Sequence, residues 1–172
     1  ELSSLLRRLI GEKVELLIEP SRGIYPIYAD RGQFDQVIIN LVVNARDAMP
    51  GGGSISIKSS NTEFETSTQR GHDLIPPGQY VLIEVIDTGE GIPKENLEHI
   101  FEPFFSTKDV GSGTGLGLST VYGIVHQSGG FVFVDSAPGE GTKFSIFLPE
   151  HANDRIERSN EEKREIIDDN IS

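Results

Sequence analysis

A helical apolar stripe between residues 34 and 49 constrains this chain most. Phe34, Val37, Ile38, Leu41, Val42, Ala45, Ala48 and Met49 recur at spacings of three and four, one face of a helix over about four turns. Pro50 and the Gly51–Gly53 run end it. A stripe of that width must bury against a second layer, and strand-like segments supply one. VELLIE (14–19) looks like a strand, SISIKS (54–59) alternates as a half-buried one, and YVLIEVID (80–87) reads as a more buried one. GFVFVDS and TKFSIFL flank the turn APGEG as a hairpin-like pair. Further helices are expected over 1–9, with Leu2, Leu5, Leu6 and Leu9 on one stripe, and over 116–129. The fold class that follows is α+β.

The remaining stretches read as connections. Pro20, Gly23 and Pro26 mark a loop, followed by a short extended piece ending near Asp30. Residues 61–79, polar with a Pro pair, are expected to form a surface loop. From Thr88 to about Ser112 the chain is irregular, with one helical turn near Glu95–His99. Past Pro149 the composition turns acidic and polar, so 150–172 is expected to be a solvated tail, a linker or a vector-derived end, in part helical.

Composition narrows the function classes. The 172 residues contain no Cys, which excludes disulfides, a thiolate metal site and a cysteine nucleophile. A net charge of −12 argues against general binding to nucleic acid or anionic lipid. No apolar run approaches the roughly 18–20 residues that cross a bilayer. The chain begins without Met and without a secretory signal, so it is expected to be an excised piece, the cytoplasmic domain of a longer protein that can itself be membrane-anchored.

Several residues can carry chemistry. Asn40, Asn44 and Asp47, at i, i+4 and i+7, align beside the apolar stripe. They are either a solvated polar face or a contact for a cation or phosphate, since an amide oxygen is a hard ligand suited to Mg²⁺. Asp87 ends an apolar strand and precedes T-G-E-G-I-P. It is either a turn cap or a specificity group, because an ionised carboxylate only accepts hydrogen bonds and so favours adenine's amine over guanine's carbonyl. Gly89 and Gly91 would let backbone approach a flat base closely. Gly111, Gly113, Gly115 and Gly117 lead into a helix, either as a hinge or as a phosphate cradle. Their spacing is neither a Walker nor a Rossmann pattern. Phe101, Phe104 and Phe105 need a surface to bury against, which suggests a lid that packs down. Lys108, just beyond, either faces solvent or reaches a terminal phosphate. His72, His99, His126 and His151 show no metal-ligand spacing and no nucleophilic triad.

In this order, NLVVNARDAM, DTGEGIP, FEPFFSTK, GTGLGLS and PGEGTKFSI resemble the N, G1, F, G2 and final glycine boxes of histidine-kinase catalytic domains. These belong to the gyrase/Hsp90/histidine-kinase/MutL (GHKL) superfamily. Within it, Asp47 and the segment YGIVHQSGGFVFVDSAPGEGTKFSIFLP are similar to nitrogen-regulatory and CckA-like hybrid cell-cycle kinases. The resemblance implies a Bergerat fold: a two-layer α/β sandwich with a mixed, mostly antiparallel sheet and helices on one face. It implies that residues 10–149 are a catalytic ATP-binding domain and that 1–9 end a helix from a missing dimerisation domain. By the same resemblance Asn44 would hold Mg²⁺ with Asn40 alongside, and both would serve catalysis with Lys108. Asp87 would read the adenine amine, while Gly89, Gly91 and Ile92 shape the base pocket. Asp47, Gly113, Thr114, Gly115, Leu116 and Gly117 would line the nucleotide site, with the glycines at the phosphates and Thr142 supporting the adenine side. Residues 94–114 would be the lid.

Superfamily members that hydrolyse ATP with water typically carry Glu four residues before the metal-binding Asn. Here that position is Asn40, an amide without useful basicity. The implied reaction is therefore transfer of the γ-phosphoryl group of ATP to a histidine on the dimerisation domain, for onward passage to a response regulator. No His here sits in a phosphoacceptor setting. This piece would be monomeric within a dimeric kinase. The alternatives are a non-catalytic module sensing ATP, ADP or cyclic di-GMP, and a GHKL-type ATPase.

Overall fold

The computed structural model describes residues 2–19, 23–27, 30–105 and 117–150. In chain order the elements are α1 (Leu2–Ile10), β1 (Val14–Glu19), α2 (Arg31–Asp47), β2 (Gly53–Phe64), β3 (Thr68–Arg70), β4 (Asp73–Ile75), β5 (Gly78–Asp87), α3 (Lys94–Leu97), α4 (Gly117–Gln127), β6 (Phe131–Ser136) and β7 (Thr142–Pro149). Five strands form one sheet in the order β1-β2-β5-β7-β6. Among the described strands only the β1–β2 pair is parallel.

The expected stripe becomes α2. Asp30 caps it, its side chain accepting a hydrogen bond from Gln33 N at 2.9 Å. Val37, Ile38, Leu41, Val42 and Ala45 are buried, each large one contributing about 1.5–3 kcal/mol on leaving water. They meet one face of the sheet, and the strand period of two decides which side chains reach them. Val81, Ile83 and Val85 of β5, Phe144, Ile146 and Leu148 of β7, and Val132 and Val134 of β6 all join the helix-side core. Two arginines fasten α1: Arg7 Nη1 donates to Leu16 O at 3.2 Å, and Arg46 Nη1 donates to Leu9 O at 2.8 Å. The 23–27 segment is held by Asn61, which accepts from Tyr25 N and donates to Gly23 O.

The structure corrects the reading of 61–79 as a surface loop. β2 runs on to Phe64 because β5 is long enough to pair with it throughout, from Ile55 opposite Asp87 to Phe64 opposite Gly78. The chain then turns through the β3–β4 hairpin. Ile75, Tyr80 and Phe147 form a second buried cluster with Phe64, Leu82, Phe131 and Phe133, on the sheet face away from the helices. Arg70 of β3 stacks its guanidinium 4.4 Å from the Phe133 ring centroid and reaches Asp135 at 3.1 Å. That ion pair is largely exposed, so the stacking supplies most of the contribution. Arg70→Ala is expected to lower unfolding stability by about 1 kcal/mol in denaturant titration. Nucleotide binding should be unaffected.

Candidate functional site

The last rung of the sheet breaks the apolar pattern. Asp87, Thr142 and Ser136 are register partners across β5, β7 and β6. By strand parity all three lie on the helix-facing side, where the preceding rungs carry Val, Phe and Ile. Asp87 is only 4% exposed. Its Oδ1 accepts from Gly89 N at 2.8 Å, and Thr142 N also donates to the carboxylate. Burial raises its pKa above the usual carboxylate value, and the two backbone donors oppose that shift. Ser136 Oγ lies 2.8 Å from Thr142 Oγ1, accepts from Ile92 N at 2.8 Å and donates to Gly141 O at 2.9 Å. Sequence reasoning passed over Ser136, whose only signal was its place before a Pro-Gly turn.

The loop after Asp87 is gripped from both sides. Glu90 N donates to Ala48 O at 3.2 Å, just past the end of α2, and Gly139 N donates to Glu90 O at 2.8 Å from the β6–β7 turn. These approaches account for the glycines. A Cβ on Gly89 would lie 2.8 Å from Ala48 O. Gly91 has φ +76°, and a Cβ there would lie 2.0 Å from Ala137 O. Both positions therefore need glycine for the protein's own packing, before any base is considered.

The polar residues of α2 divide their roles. Asn40 accepts from Gln36 Nε2 at 2.7 Å and donates to Gly117 O at 3.2 Å, tying α2 to the start of α4. Asp47 pairs with Arg46 at 3.0 Å, and Arg46 in turn reaches α1. Asn44 lies one turn before Ala48, half-buried, with no hydrogen bond to its amide among the described residues. That half-buried hard oxygen fits the role of a magnesium ligand. No cluster of three or more His, Asp or Glu suited to a metal occurs among the described residues.

Lys108, Gly113, Thr114, Gly115 and Leu116 lie outside the described residues, as does much of the expected lid. Of the three aromatics, Phe101 packs near Tyr122 and Phe144, with centroids at 5.5 and 6.3 Å, and Phe105 sits against the core. Phe104 departs from the expectation: it is 76% exposed at φ +66°. A small apolar gap between the start of α2 and the end of α4, lined by Phe34, Val37, Ile124 and Ile146, is separate from the polar rung.

Residues 29–152 match the family of histidine kinase-, DNA gyrase B- and HSP90-like ATPases. The chain belongs to this family. Over 149 residues it is 54% identical to the sensor kinase CckA of Brucella abortus, covering 87% of this chain and 16% of that protein. The chain thus spans a minor part of that relative's length. The catalytic domain of histidine kinase ThkA superposes with a TM-score of 0.63 at 30% identity, covering 87% of this chain and 85% of that one. Full-length ShkA in complex with AMPPNP superposes with a TM-score of 0.66 at 28% identity, covering 86% of this chain and 28% of that one. The fold is that of the histidine-kinase members of these ATPases. No described helix is long and apolar enough to cross a membrane.

Gly91→Ala is expected to destabilise this ATPase-family domain by about 2 kcal/mol or more without ligand, from backbone strain and the displaced turn. Thermal unfolding in the absence of nucleotide checks it.

Proposed function

We propose that this domain binds Mg·ATP and donates its γ-phosphoryl group to a histidine on a separate dimerisation domain. In this reading it works in the cytoplasm, as a monomeric unit of a dimeric sensor kinase that passes the phosphoryl group to a response regulator. Residues 1–9 end a helix from the dimerisation domain, 10–149 form the catalytic domain and 150–172 are a charged tail or linker. The observation that carries the reading is the buried carboxylate of Asp87, anchored by backbone N–H groups beside the end of the amide-bearing helix.

Asp87 accepts from the adenine amine, with Thr142 beside it and Gly89, Gly91 and Ile92 around the base. Asn44, with Asn40 alongside, would hold Mg²⁺ at the phosphates, and Asp47 lines the nucleotide site at the end of the same helix. Gly113, Gly115 and Gly117 hold the phosphates, Thr114 and Leu116 line the same nucleotide site, and Lys108 reaches the γ-phosphate. When bound, Mg²⁺ neutralises phosphate charge, which matters in a chain of net charge −12. In the reaction a histidine ring nitrogen attacks the γ-phosphorus, the bond to the β–γ bridging oxygen breaks, and ADP leaves. Phosphoryl transfer asks for positioning and charge stabilisation more than for protein covalent chemistry, so a site without its own nucleophile suffices. The amide at Asn40 leaves no carboxylate four residues before Asn44 to activate water.

Mixing the domain with a separately made dimerisation domain and γ-labelled ATP is expected to label the histidine. Bound ATP without transfer would favour a sensing module. Steady phosphate release by the domain alone, abolished by changing Asn40, would favour an ATPase. Calorimetry with cyclic di-GMP tests whether such an effector binds as well.

Two substitutions test the site. Asn44→Ala should weaken Mg·ATP by about tenfold or more while leaving metal-free adenosine unchanged. Equal losses would mean a merely structural Asn44. Asp87→Asn should lower ADP affinity by about tenfold. An unchanged ADP titration would remove the adenine assignment.

A further inference from the structure

Counting protons at the end rung fixes the direction of one hydroxyl. A backbone N–H only donates and a carbonyl only accepts. Ser136 Oγ therefore receives the Ile92 N–H and gives its single proton to Gly141 O. Its third close contact, Thr142 Oγ1 at 2.8 Å, is then a hydrogen bond only if Thr142 is the donor. The Thr142 hydroxyl proton is thereby committed, and Oγ1 offers lone pairs alone to any further group. Next to it, the Asp87 carboxylate is held by two backbone donors and is itself an acceptor when ionised. Two neighbouring groups on the helix-facing side thus present the same polarity.

We propose that Ser136 is a positioning residue for base selection. By holding the Thr142 hydroxyl as an acceptor, it makes the rung favour a purine with an exocyclic amine over one with a carbonyl oxygen in the same place. The inference rests on the reading of Asp87 and Thr142 as the base-facing residues. Without Ser136 the Thr142 hydroxyl is free to rotate and donate, so a 6-oxo purine gains a partner and Asp87 alone rejects it. A site built from committed acceptors discriminates more strongly than one whose hydroxyl adapts.

The test is calorimetry on the full 172-residue chain with Mg·ADP and Mg·IDP, which differ by amine against carbonyl at the six position and by a bare N1 against N1–H. Ser136→Ala is expected to reduce the preference for ADP about tenfold. Ser136→Thr, which keeps the hydroxyl, should retain it. In a Thr142→Val background, Ser136→Ala should leave the preference where Thr142→Val set it. Equal weakening of both nucleotides by Ser136→Ala, or an undiminished effect in the Thr142→Val background, overturns the assignment. Thr142→Val keeps the Ser136 bonds to Ile92 and Gly141, so it serves if Ser136→Ala does not fold. It should itself lower the preference, and no change overturns the proposal. Asp87→Asn separates the two layers of the argument. If it leaves the ADP preference intact, the base reading falls and takes this inference with it. If it erodes the preference while Ser136→Ala does not, only the role of Ser136 fails.

Discussion

Where β5, β7 and β6 end together, a carboxylate and two hydroxyls occupy the face that elsewhere packs Val, Ile and Phe. Burying a carboxylate is costly unless donors surround it. Here the donors are backbone N–H groups of Gly89 and Thr142, with Ile92 and Gly141 completing the bonds of Ser136. The glycines follow from that demand. Gly141, at φ +77°, would place a Cβ 2.1 Å from Asp87 O, so only glycine lets the β6–β7 turn close against the strand end. The rung, the loop after it and the end of α2 therefore form one hydrogen-bonded unit. Little ordering is left for a ligand to impose there.

α2 serves that unit with one face and the core with another. Its apolar stripe packs on the sheet, and the neighbouring column of Asn40, Asn44 and Asp47 reaches three different places. Asn40 holds the first residue of α4, Asp47 engages the arginine that fastens α1, and Asn44 keeps an unpartnered amide among the described residues. The helix is a beam to which α1 and α4 are tied. Tilting it would strain the core and the loop at Ala48 together.

Much of this was legible in the residues. The three-and-four spacing from Phe34 to Met49 gave the helix and Pro50 its stop, alternation gave the core of β2, and apolar runs bounded by turn residues gave the cores of β1 and β5 and the β6–β7 pair. Asp87 stood out because a carboxylate rarely ends so apolar a run. What stayed hidden was set by distant partners. NTEF has no clean alternation, yet it continues β2 because β5 lies alongside it. The β3–β4 hairpin depends on Ile75 finding Tyr80 and Phe147, contacts no local pattern announces. Ser136 carries no charge and no motif. Its role arises only when the register sets it beside Thr142 and the loop brings Ile92 to it.

The hairpin over the outer cluster has a consequence for assembly. A bare aromatic surface on Phe131, Phe133 and Phe147 would be adhesive, and any neighbouring domain could settle on it. Roofed by β3–β4 and latched through Arg70, those rings are spent on the protein's own hairpin and are withdrawn from any visitor.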